Sequence, residues 1–87
     1  MNVHARPEEI REFATILEQF YNETEDSSCR VRQKFESLDW QDAVRERFAE
    51  QLADIHNALV KFKAESEDVV ADLRRRAEVL DNYFDVR

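Results

Sequence analysis

The sequence predicts an all-α fold, a two-helix antiparallel hairpin over about residues 7–37 and 40–84. Three observations predict it. The 87 residues include no Gly and one Pro, too few turn formers for a sandwich or barrel of short strands. In both halves apolar residues recur in alternating steps of three and four, the spacing of a helical seam rather than of a strand. The two patterns meet at a short polar segment around Trp40, and a short connection makes its helices antiparallel neighbours.

The first helix is expected from about Pro7 to about Ser37. Pro7 suits a first helical turn, and Glu8, Glu9 and Glu12 behind it complement the positive end of the helix dipole. Its seam reads Ile10, Phe13, Leu17, Phe20, Thr24, Ser27, Val31, Lys34 and Leu38, flanked by Tyr21 and Phe35. The small polar residues Thr24, Ser27 and Ser28 soften its middle. They are either tolerated there or act as a register device, because a polar layer penalises slipped pairings.

The second helix is expected from about Trp40 to about Tyr83. Phe48, Leu52, Ile55, Leu59, Phe62, Ser66, Val69, Leu73, Arg76, Leu80 and Tyr83 keep the alternation without a slip. Ala58, Val70, Ala77, Val79 and Phe84 broaden the stripe. Between the helices, Asp39 is the expected cap of the second helix, with Asp42 three residues on; Ser37 is the alternative. One unbroken rod through residue 40 is the competing arrangement, since no Gly or Pro forces a break.

Folding back about residue 39 pairs Phe13 with Ser66, Leu17 with Phe62, Thr24 with Ile55 and Val31 with Phe48. It sets Arg11 near Asp68 and brings Glu8 and Glu9 close to Arg74 and Arg75. At 1.5 Å per residue the helices are about 46 and 66 Å long. The second then overhangs the first at its tail, leaving Leu80, Tyr83 and Phe84 without intrachain cover. Two rods side by side enclose little, and the second helix carries a stripe wider than one neighbour covers. A row of exposed large side chains is an aggregation hazard. The expected resolution is dimerisation of hairpins into a four-helix bundle, with Leu80, Tyr83 and Phe84 as tail contacts to the partner.

Composition excludes several function classes. Thirteen basic against twenty acidic residues give a net charge of −7, so nucleic-acid binding lacks its electrostatic driver. No apolar run is long enough to span a membrane. No apolar stretch follows Met1 to Arg6, so no classical signal peptide is expected; residues 1–6 are expected to be disordered, ahead of a single domain. The absence of Gly removes phosphate-cradling loops and nucleophile elbows. His4 precedes the first helix, and His56 is expected beside Glu23, out of reach of Cys29. No catalytic residue, metal ligand or cofactor is therefore expected, and Cys29 reads as a free outward thiol. Glu23-Thr24-Glu25-Asp26 lacks the Gly and spacing of a calcium loop. Arg74-Arg75-Arg76 reads as dipole complementation and pairing with the N-terminal glutamates, or as a small anionic docking patch. Arg76, in a seam position, must snorkel out or meet a carboxylate of a partner.

Trp40 stands at the bend, after Leu38 and before Ala43, Val44 and Phe48, where its ring can plug the end of a bundle. Leu38-Asp39-Trp40-Gln41-Asp42-Ala43-Val44-Arg45-Glu46-Arg47-Phe48 resembles the turn motif and second-helix start of the WXG family, the hundred-residue ESAT-like helical hairpins of type VII secretion. Length and helix arrangement extend the resemblance over nearly the whole chain. The turn motif is thus Leu38, Trp40, Asp42 and Phe48, with Asp42 where the family has Gly, so the bend must manage without a left-handed backbone position. Tyr83 is followed four residues later by Arg87, where the family's export signal has Asp or Glu; Tyr21 and Glu25 have that spacing, in the first helix. The resemblance implies no catalytic activity and a partner that is a second copy or a related hairpin. It also implies synthesis in the cytoplasm and export without a classical signal, as a substrate or an escort, in contact with a secretion ATPase or a larger effector. A non-exported cytosolic adaptor built on the same hairpin is the alternative.

Overall fold

The computed structural model describes residues 5–85, with Phe84 and Asp85 described in backbone only. Residues 1–4 of the segment expected to be disordered lie outside the described residues, as does the Phe84 side chain. Two helices make up the fold, α1 (Pro7–Ser37) and α2 (Ala43–Asp85). They run antiparallel as a rod of 70 × 17 × 15 Å. The radius of gyration is 19.8 Å, against about 12 Å for a globular domain of this length. Each helix therefore has one neighbour only.

α1 starts as its sequence dictates. Arg6 is extended and Pro7 occupies the first helical turn, where a missing N–H costs nothing. The Arg6 carbonyl accepts from the N–H groups of Glu9 and Ile10, both at 3.1 Å. At the other end Leu38 is extended (φ −71°, ψ 137°) and its N–H donates to the Phe35 carbonyl at 3.2 Å. The Ser37 hydroxyl donates to the Lys34 carbonyl at 2.7 Å. The chain thus leaves the helix without a left-handed residue, and no positive φ occurs among the described residues.

The break separates two helices, so the unbroken rod is excluded. α2 begins at Ala43, three residues later than expected, and its cap is Asp42 rather than Asp39 or Ser37. The Asp42 carboxylate accepts from the Arg45 N–H at 2.9 Å, and its carbonyl from the Glu46 N–H at 3.3 Å.

The register differs from the expected one. Arg11 meets Asp81 rather than Asp68, and Arg74 meets Glu18 rather than Glu8 or Glu9. Arg75 pairs within its own helix, with Asp72. Because the chain leaves α1 extended, the turn does not fold tightly about residue 39 and α2 starts further out. The overhang is therefore at the bend, by about two turns of α2, and not at the tail. Leu80, expected to lack intrachain cover, is 3% exposed in the hairpin itself.

Candidate protein-interaction face

The hairpin's own seam is narrow. Ala14, Tyr21, Ser66, Val70, Ala77 and Leu80 are buried. Ala14, Tyr21 and Val70 form a cluster against which Leu17, Phe62 and Leu73 pack. Ala14 and Ala77 have no exposed surface, as close approach of two helices through small residues requires. Ile10, Thr24, Phe35, Leu52 and Leu59 are half-buried along the same line. No large side chain among the described residues is fully buried.

The single seam expected from the sequence therefore divides in two. Ile10, Leu17, Leu52, Leu59, Phe62 and Leu73 face the other helix at least in part. Phe13, Phe20, Val31, Ile55 and Val69 lie mostly outside that line; they are 46–55% exposed. The expected pairing of Phe13 with Ser66 fails accordingly: Ser66 is buried and Phe13 is not.

These exposed residues share a face. The Phe20 and Phe62 rings meet edge to face at 5.6 Å, linking α1 to α2 on that side. Steps of seven from Phe20 reach Phe13; steps of seven from Phe62 reach Phe48, Ile55 and Val69. Seven residues are about two helical turns, so each set forms one stripe. Towards the bend the face continues as a shallow apolar groove whose lining includes Val31, Leu38 and Leu52.

The opposite edge of the seam is charged. Glu25 pairs with Lys63 at 2.7 Å, and Glu18 with Arg74 at 3.1 Å. Arg11 pairs with Asp81, and Arg32 lies 3.0 Å from Nδ1 of His56. His56 thus faces Arg32 rather than Glu23. The α1 members, Arg11, Glu18, Glu25 and Arg32, recur every seven residues beside the seam, a sequence signal the apolar reading passed over. The hydrogen bond and charge of Arg74 hold the Glu18 carboxyl below its ordinary range, with the Tyr21 hydroxyl adding to it. Burial, reinforced by Glu18 and Glu67, pushes the Tyr21 phenol up. The pairs are exposed and fix register more than they stabilise.

At the bend, Trp40 is half-buried. Its ring lies 5.7 Å from Phe48 and 6.5 Å from Phe35, and the Arg45 guanidinium sits over Phe35 at 4.7 Å. The Arg45 N–H, then the Trp40 indole and the Val44 N–H, hold the Asp42 carboxyl below its usual range. Asp42 therefore caps the start of α2 beside the tryptophan. Asp and Gly are both favourable N-cap residues, which explains physically how Asp can stand where the motif has Gly.

Tyr83 is 54% exposed, and Cys29 is free and exposed. Among the described residues, no group of three or more His, Cys, Asp or Glu is placed to hold a metal ion, and no helix is long and apolar enough to cross a membrane.

No protein-family profile matches the chain, and no curated protein matches it in sequence. In three dimensions it is similar to the crystal structure of a variant of EsxB, a secreted protein from Bacillus anthracis strain Sterne. The TM-score is 0.83 at 21% identity, covering 100% of this chain and 98% of that one. The chain accordingly shares the helical-hairpin fold of that protein.

Proposed function

We propose that this protein is a non-enzymatic binding module whose Phe13–Phe20 and Phe48–Val69 face is covered by a second helical hairpin, its own copy or a relative. The carrying observation is the imbalance between a narrow intrachain seam and a face of half-exposed Phe, Ile and Val. Burying the exposed half of an aromatic side chain removes about 100 Å² from water. Phe13, Phe20, Phe48, Ile55 and Val69 together then offer about 400 Å², at the upper end of what a monomer leaves uncovered. That area corresponds to a gross gain of about 10 kcal/mol, before the losses of association.

The fold shared with a secreted protein and the Trp-x-Asp bend support a role as substrate or escort of a type VII-like secretion system. A non-exported adaptor is the second reading, favoured by Arg87, where the export signal has an acid. Cell fractionation tests the two: a substrate accumulates in culture supernatant and an adaptor stays with the cells. An Ile55→Asp chain that is folded but still behaves as wild type in both fractions and in particle size would refute the binding face itself.

A further inference from the structure

On the charged edge of the hairpin, near the bend, α1 and α2 form an open-sided cleft of about 390 Å³, a size at which small-molecule sites occur. Its apolar lining is Phe35 from α1 and Ala49, Leu52 and Ala53 from α2; the short alanine side chains leave the room. Three basic side chains, Arg32, Arg45 and His56, complete it together with one carboxylate, Glu36. None of Phe13, Phe20, Ile55 and Val69 lines it, so the cleft is not part of the outer face.

The cations of this cleft are short of anions. The other three cross-helix pairs beside the seam join a cation to a carboxylate. Here Nη1 of Arg32 lies 3.0 Å from Nδ1 and 3.1 Å from Nε2 of His56, and Arg32 makes no ion pair among the described residues. The Arg45 side chain is only 23% exposed, and its guanidinium sits over the Phe35 ring. Its ion pair is a long one, 3.7 Å to the neighbouring, well-exposed Glu46. A guanidinium partly withdrawn from water attracts an anion more strongly than one in bulk solvent, and its planar fork matches a carboxylate.

We infer that the cleft binds a small carboxylate carrying an apolar body, with Arg45 and Arg32 taking the carboxylate and Phe35, Leu52 and the two alanines covering the body. His56 engages Arg32 without competing as an anion. Glu36 in the lining and the chain's net charge of −7 oppose dianionic phosphates and polyanions, so the ligand is singly charged.

Amide NMR of the isotope-labelled full chain, titrated with phenylbutyrate near neutral pH in low salt, tests the site. Saturable shifts confined to residues 32–36 and 45–56 are expected, in the millimolar range or below. Phenylbutyramide keeps the body and loses the charge; acetate keeps the charge and loses the body. Each should bind about tenfold or more weakly, and phenyl phosphate should bind no better than phenylbutyrate. Arg45→Gln keeps the backbone N–H that Asp42 accepts and should weaken phenylbutyrate about tenfold. Ala49→Leu fills the cleft, leaves every cation in place and should abolish binding. Circular dichroism checks that both variants fold; Arg32→Gln, at an exposed position, replaces either that does not and should weaken binding likewise. The inference is overturned if the amide or acetate binds as tightly as phenylbutyrate, or if phenyl phosphate binds better. It is equally overturned by folded variants that bind like wild type, by shifts centred on Phe13, Phe20, Ile55 and Val69, or by no saturable shift at all. The outer face stands or falls separately, with Ile55→Asp.

Discussion

The neighbouring valines 69 and 70 separate the two apolar surfaces most sharply. Val70 is 3% exposed in the cluster with Ala14 and Tyr21, whereas Val69 is 46% exposed on the outer face. Val70→Ala removes two buried carbons, about 1.6 kcal/mol at 0.8 per methylene, and the residual cavity raises the loss to about 2–3 kcal/mol. Val69→Ala forfeits about half of that transfer gain and leaves no cavity, so the isolated hairpin should lose about 0.8 kcal/mol. Urea unfolding followed by far-ultraviolet circular dichroism, at a concentration low enough to keep the chain monomeric, measures both. With a slope of about 1–3 kcal/mol per molar, Val70→Ala should lower the midpoint by about 1 M and Val69→Ala by a few tenths at most. In the assembled state the order should narrow or reverse, because only Val69 faces the partner. Equal losses in the monomer, or a larger loss for Val69→Ala, would refute the division of the seam.

Other outcomes follow from the same geometry. Leu59→Asp, on the intrachain line, should unfold the hairpin, while Ile55→Asp should keep full helicity and lose only the partner; dichroism with size exclusion reads both. Asp42→Ala should lower the thermal midpoint and Asp42→Gly should lower it less, since Gly also serves as a cap. The folded Asp42 carboxyl titrates below its unfolded range. Its contribution is therefore present above the unfolded value and lost as pH falls through the folded one; Asp42→Ala and wild type should converge only in acid. Cys29→Ser, at an exposed thiol, should change neither midpoint nor assembly.

Much of this fold is legible in the sequence because its determinants are local. Pro7 with its glutamates fixes the start of α1, and the three–four alternation fixes both helices. The bend at Trp40 is legible because a lone tryptophan between two amphipathic stretches has few other uses. The phase of the seam is harder to read. Large residues at 13, 20, 55 and 69 draw the eye, but the helices approach through Ala14 and Ala77, whose small size permits contact and gives no hydrophobic emphasis. The same competition hides Val70 behind Val69. The register is missed because a single extended residue, Leu38, moves the start of α2, and every pairing shifts with it. The heptad of Arg11, Glu18, Glu25 and Arg32 opposite Asp81, Arg74, Lys63 and His56 contained the information needed to correct it.

The bend shows how Asp42 can stand where the motif it resembles has Gly. A glycine at position 42 would be needed for a left-handed turn, but the chain passes through residues 38–42 with no positive φ. What the position supplies is an N-cap, and the Asp42 carboxylate supplies it through the Arg45 N–H. The tryptophan in turn covers Phe35 and Phe48 where α2 projects beyond α1. The small intrachain core and the broad outer face are two sides of one arrangement: where Ala14 and Ala77 let the rods come close, Phe13, Ile55 and Val69 are left outside.

The mass of the native particle, measured by light scattering coupled to size exclusion on protein purified mildly from its own cells, bears most directly on that outer face. A particle containing two hairpins, about twice the 10.4 kDa of one chain, reduced to one by Ile55→Asp, is the result expected. A well-folded lone hairpin, stable at micromolar concentration with its phenylalanine face open to water and no companion recovered, would contradict the account.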